Sequence, residues 1–219
     1  MIRSAPSGSV TALYDDRVDP TLYARSLRAD LVDGLAPAER ASAERPEGSD
    51  GRPAAVLVPV VATSQPTLIF TKRARELKRH AGEISFPGGL RHAGDRDLLE
   101  TALRETEEEL GLARQDVDVL GALDAFLTYT TGFWVVPYVG WLERDPLFTP
   151  SPAEIDEVIE VPVATLSRIE QEVTWQHEGG AWTGFVYEVD GHTIWGATGR
   201  MVHEFLEIVR REPSWQQAM

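Results

Sequence analysis

The sequence predicts one α+β domain built from mixed strands and two principal helices. Three observations carry that prediction. Short apolar runs rich in Val, Ile, Phe and Trp recur along the chain, broken by Pro, Gly and Asp. Two longer stretches, GDRDLLETALRETEEELGL (94–112) and ATGRMVHEFLEIVRR (197–211), space their apolar residues for one face of a helix. A length of 219 residues with 42% apolar content suffices for one sizeable core but is short for two ordinary domains.

Residues 1–52 read as an N-terminal appendage, helical over TLYARSLRADLVDGL (21–35) and then a polar Pro/Gly/Ser stretch. The main domain is expected over 53–212, with 213–219 as a tail. AAVLVPVVA (54–62) and PTLIFTKR (66–73) read as the strands of a hairpin, and EISFPGG (83–89) as a short strand ending at a glycine pair. The helix at 94–112 can start on Asp95 or Asp97, whose carboxylates accept from free N–H groups. It can close on Gly111, which tolerates a left-handed backbone. DVDVLGALDAFLT (116–128) and GFWVVPYVGWL (132–142) are strand-like, and EIDEVIEVPVATLSRI (154–169) passes from strand to short helix after Pro162. WTGFVYEV (182–189) and HTIWGAT (192–198) form a hairpin through Asp190-Gly191, a pair suited to a tight turn. The last helix buries Met201, Val202, Phe205, Leu206 and Val209.

Composition narrows the function. The longest apolar run, at 54–62, is too short to cross a bilayer, and MIRSAPSGSV lacks a signal peptide's hydrophobic centre, so a cytoplasmic protein without membrane partners is expected. Without cysteine, any metal must be held by carboxylate, imidazole or carbonyl groups. A net charge of −14 repels polyanions, which argues against nucleic acid. A small anionic substrate is still compatible, because both lysines of the chain, Lys72 and Lys78, lie in KRARELKRH (72–80) beside Arg73, Arg75 and Arg79. A homodimer is left open.

The end of the first long helix is unusual. Glu105, Glu107, Glu108 and Glu109 crowd its last turn, where the helix dipole is negative and like charges repel. At 100° per residue, Leu99, Leu103, Thr106 and Leu110 form the face expected to pack on the sheet. Glu105, Glu108 and Glu109 share an adjoining arc about 100° wide, and Glu107 points away into solvent. Hard oxygen ligands at this density suit Mg²⁺ or Mn²⁺. Arg104, one turn from both Glu100 and Glu108, is placed to brace them.

GGLRHAGDRDLLETALRETEEELGL (88–112) resembles the Nudix box, a loop–helix–loop whose core reads Arg-Glu-x-x-Glu-Glu-x-Gly; Arg104, Glu105, Glu108, Glu109 and Gly111 match it in register. LIFTKRARELKRHAGEISFPGG (68–89) is similar to the added signature of the coenzyme A pyrophosphatase branch, through Thr71, Arg73, Leu77, His80, Gly82, Phe86, Pro87, Gly88 and Gly89. The resemblance covers about residues 54–210. It departs in two places: Arg96 stands where the box has a glutamate, which makes Asp95 the acidic counterpart, and His92 replaces an aspartate frequent in that branch.

The resemblance implies an α/β/α sandwich with a mixed sheet, and hydrolysis of a nucleoside diphosphate joined to another group. Glu105, Glu108 and Glu109, with the Gly89 carbonyl, would hold Mg²⁺ or Mn²⁺. Glu154, ahead of Glu157, or Glu105 would serve as base. Arg73, Lys78, Arg79, His80, Gly88 and Phe133 would meet the substrate, with Phe133 and Trp134 on opposite faces of their strand. Coenzyme A or a derivative is the expected substrate. ADP-ribose, a dinucleotide such as NADH, or a nucleotide-sensing module without catalysis are the alternatives.

Overall fold

The computed structural model describes residues 20–41, 51–75, 81–143, 146–177, 180–211 and 215, with the side chains of 20–23 and 177 excepted. In chain order the elements are α1 (Pro20–Gly34), α2 (Ala38–Ala41), β1 (Arg52–Val61), β2 (Thr67–Arg73), β3 (Ile84–Ser85), β4 (Gly88–Leu90) and α3 (Leu98–Leu110). There follow β5 (Asp118–Ala122), β6 (Phe126–Leu127), β7 (Phe133–Leu142), β8 (Ile155–Pro162) and α4 (Val163–Ile169). The chain continues through β9 (Gln171–His177), β10 (Gly180–Val189), β11 (His192–Ile194) and α5 (Gly196–Arg210).

The main sheet runs β3-β2-β1-β7-β5, with β4 against β1, β6 against β7 and β8 against β2. It is mixed: β1 and β7 are parallel from Arg52↔Phe133 to Val61↔Leu142, while the other pairs are antiparallel. Alternation along β1 divides the core between the two faces. Ala55 and Leu57 pack with Leu98 and Ala102 of α3. Ala54, Val58 and Val60 join Leu27, Leu31 and Leu35 of the α1 segment and Met201, Val202, Phe205, Leu206 and Val209 of α5. The result is an α/β/α arrangement, as expected. Each fully buried leucine contributes about 2 kcal/mol of transfer free energy, so the sheet is held from both sides.

Several local expectations are corrected. Gly88 and Gly89 lie inside a strand, β4, instead of ending one. The run 116–128 is split, because the chain leaves β5 after Ala122 and rejoins β7 as β6. Strand β9, read from QEVTWQH, has a mostly polar pattern that gave no strand signal. The buried side of α3 is rotated from the expected one: Leu98, Thr101, Ala102, Thr106, Glu109 and Leu110 are buried, and Leu99 and Leu103 are only partly so. Buried Ala102 shares a cluster with Ala55 and Leu57 of β1, and the bulkier Leu99 and Leu103 are partly buried against it.

Caps fix the ends of α3. Asp97, not Asp95, accepts from the Glu100 N–H, and Gly111 closes the helix at φ 68° with its N–H on the Glu107 carbonyl. The Asp190-Gly191 turn has φ values of 50° and 80°, the positive pair that a tight hairpin requires.

Candidate active site

The acidic helix end meets β4 through two glycines. Gly88 lies so close to β1 that a Cβ there would stand 2.4 Å from the Ala55 carbonyl oxygen. A Cβ on Gly89 would stand 2.7 Å from the Glu105 carboxyl carbon. Only bare backbone allows the loop, the strand and the helix carboxylates to share this space.

Glu109 is only 2% exposed. One carboxylate oxygen accepts from the Gly88 N–H at 3.2 Å, and the other lies 3.6 Å from Arg73 Nη1. Burial pushes its carboxyl up to about 8; the Gly88 N–H and Arg73 oppose this, while the charges of Glu105 and Glu154 add to it. Glu109 is thus a carboxylate withdrawn from water, with Arg73 as its nearest cation.

Arg104 is held on both sides. Its Nε and Nη2 donate to the two oxygens of Asp95 at 2.9 and 3.1 Å, a forked pair, while Nη1 reaches Glu105 at 2.9 Å and Glu108 at 3.1 Å. Asp95 also accepts from the His92 N–H and the Thr101 hydroxyl. The Arg104 hydrogen bond, with those two donors, holds the Asp95 carboxyl well below its usual range. Asp95 in turn raises the Arg104 guanidinium further, so both stay charged. The loop between β4 and α3 is thus pinned to the helix by an ion pair that also orients two of the three glutamates.

Other neighbours differ from expectation. Glu100 pairs with Arg96 and Arg114, not with Arg104. Glu107 is not merely solvated: it accepts from Arg114 at 2.8 Å. Arg73 faces Glu109, and Lys72 pairs with Glu157 at 3.3 Å, which also lies 3.4 Å from His192. Glu157 is thereby occupied, whereas Glu154 is exposed and within electrostatic reach of Glu109. The Glu154 carbonyl accepts from the Ala74 N–H at 2.8 Å, which ties this segment to the end of β2. Phe133 is half-buried against the cluster on the sheet face opposite α3, and the Arg52 guanidinium lies over its ring. Lys78, Arg79 and His80 lie outside the described residues. The Arg73–Glu109 and Arg114–Glu107 pairs were invisible in the sequence, because each joins residues from separate elements.

Among the described residues, no three His, Asp or Glu side chains are gathered around one point at metal-binding spacing. Glu105 and Glu108 lean on Arg104, while Glu109 turns to Gly88 and Arg73. The donor set nevertheless suits a hard divalent cation, being all oxygen, and the Glu109 carboxylate is withdrawn from water.

Comparison with known proteins places the chain in a family. The model of the NUDIX domain matches residues 51–182. An uncharacterized Nudix hydrolase NudL of Photorhabdus laumondii is 35% identical over 163 residues, 74% of this chain and 87% of that protein. A protein of the same description from Pectobacterium atrosepticum is 36% identical over 155 residues, 70% and 80% of the two chains. Among solved structures, a MutT protein from Methanosarcina mazei superposes with a TM-score of 0.49 at 16% identity, over 75% of this chain and 96% of its own. With the domain model spanning more than half of the sequence and relatives more than a third identical over most of their length, the chain belongs to the Nudix hydrolase family.

Proposed function

We propose that this Nudix pyrophosphohydrolase splits the diphosphate of coenzyme A, or of an acyl derivative, into 3′-phosphoadenosine 5′-phosphate and the matching 4′-phosphopantetheine. The observation that carries the reading is the buried Glu109 carboxylate, set against the Gly88 N–H beside Glu105 and Arg73. Support for coenzyme A comes from the signature at 71–89 and from the basic residues it contains.

Glu105, Glu108 and Glu109, with the Gly89 carbonyl, would hold Mg²⁺ or Mn²⁺. Such ions supply charge neutralisation at a diphosphate and acidify a bound water. The chain's own residues do the rest. The side-chain-free surface at Gly88-Gly89 admits the diphosphate close to the backbone. Asp95 and Arg104 keep Glu105 and Glu108 in place. Glu154, exposed and near Glu109, takes the proton from water as its oxygen attacks phosphorus and the anhydride P–O bond breaks. Arg73, Lys78 and Arg79 meet the substrate's anionic groups.

The test is a panel of coenzyme A, acetyl-coenzyme A, NADH and ADP-ribose with Mn²⁺, products being identified by mass. Coenzyme A or its acetyl form is expected to show at least about tenfold higher kcat/KM than the other two, a preference of about 1.4 kcal/mol. Preference for NADH or ADP-ribose would move the substrate elsewhere within the family. Tight binding without turnover of any member would instead indicate a sensor.

A further inference from the structure

The two arginines beside the glutamates are held very differently. Arg104 makes four contacts, at 2.9 and 3.1 Å, to three carboxylates, and its side chain is 13% exposed. The Arg73 side chain is 29% exposed. Among the described residues its guanidinium has one ion pair, from Nη1 to Glu109 Oε1 at 3.6 Å, which is longer than a hydrogen bond.

The Arg73 backbone, by contrast, is fixed. Its N–H donates to the Glu83 carbonyl and its own carbonyl accepts from the Gly82 N–H, both at 3.0 Å. Along the other edge of β2, the ladder with β8 skips Asp156 between Lys72↔Glu157 and Arg73↔Ile155, a bulge of the kind that re-aims side chains beside a site. Consecutive side chains then serve different partners, Lys72 on Glu157 and Arg73 on Glu109. A rigid base with a loosely held head suits a group that changes partner.

Both partners are within its range. The second oxygen of the Glu109 carboxylate accepts from the Gly88 N–H, so one carboxylate separates Arg73 from the bare backbone that admits the diphosphate. A divalent cation held by Glu109 would neutralise that carboxylate and repel the guanidinium. Phosphate oxygens offer a guanidinium forked, charge-assisted bonds, shorter and stronger than the contact it leaves.

We infer that Arg73 alternates between two partners: Glu109 while the site holds no divalent cation, and the substrate's diphosphate once a cation is bound. The inference rests on the diphosphate-hydrolase reading above, and not on coenzyme A as the substrate. Arg73 thus competes with the cation in the free enzyme and supports it in the substrate complex.

Calorimetric titration with Mg²⁺ at about pH 9, above the range in which Glu109 releases its proton, reads both roles. The probe is α,β-methylene-ADP, whose P–C–P bridge resists hydrolysis. Without the probe, Arg73→Gln should bind Mg²⁺ at least about threefold more tightly than the wild type. The tightening of Mg²⁺ binding produced by saturating probe should be at least about tenfold smaller in the variant. Arg73→Lys, which keeps the charge, should fall between the two proteins in both readings. Lys72→Gln removes the same charge one residue away, and in physiological salt should leave both readings within about twofold of the wild type. Mg²⁺ binding by Arg73→Gln that is no tighter than wild type would overturn the inference, as would an undiminished response to the probe or the same changes in Lys72→Gln. No Mg²⁺ uptake by the wild type, with or without probe, would remove the hydrolytic site as well. A preference for NADH or ADP-ribose in the turnover panel would change the substrate alone.

Discussion

Glu109→Gln is expected to lower kcat/KM by about 10³-fold, since an amide cannot replace a charged ligand where several kcal/mol of charge stabilisation are required. The fold should persist, because the amide oxygen can still accept from the Gly88 N–H. The substitution should also change the stability profile. In the cation-free protein the Glu109 carboxyl is raised from 4.5 to about 8, so the folded state holds its proton more tightly than the unfolded chain does. The associated stability is fully present below pH 4.5 and is lost as pH rises through 8, a change on the order of 5 kcal/mol. Melting of the cation-free wild type should therefore move to lower temperature across that window. Glu109→Gln should remove this dependence, and a divalent cation should restore the wild type at the alkaline end. An unchanged slope in the variant would show that some other group governs it.

Gly88→Ala should be strongly damaging to both fold and activity. The new methyl would stand 2.4 Å from the Ala55 oxygen and 2.6 Å from the Val56 Cα, both backbone atoms that cannot rotate away. Separation of β4 from β1 would cost about 3 kcal/mol and lower Tm by roughly 6–12 °C. Loss of the Gly88 N–H contact with Glu109 should remove activity as well. Gly94→Ala is the control, because nothing lies within 4 Å of the added methyl; it should stay within about 0.5 kcal/mol of wild type. Comparable melting of the two variants would contradict the close packing described here.

Much of this molecule is legible in its sequence because its strongest signals are local. Asp97, Gly111 and the apolar spacing of 98–110 define α3, and Asp190-Gly191 defines the β10–β11 turn. The five residues expected on the buried side of α5 are all buried. What the sequence conceals depends on partners far along the chain. Glu109 is part of the buried face, not of an open acidic arc, because Gly88 comes from 21 positions away to cover it. Asp95 could have capped the helix on spacing alone, but Arg104 draws it into a forked ion pair instead. β9 is hard to read because five of its seven residues are polar and it pairs with one described strand, leaving only Val173 and Trp175 as an apolar signal.

Manganese binding, followed by the loss of free Mn²⁺ electron paramagnetic resonance signal, is the most direct probe of the glutamate cluster. The wild type should take up the ion near neutral pH, more strongly with a coenzyme A diphosphate present, and Glu105→Gln or Glu109→Gln should reduce uptake by at least about tenfold. Equal uptake by the wild type and both variants, or none by the wild type even with the diphosphate, would contradict it.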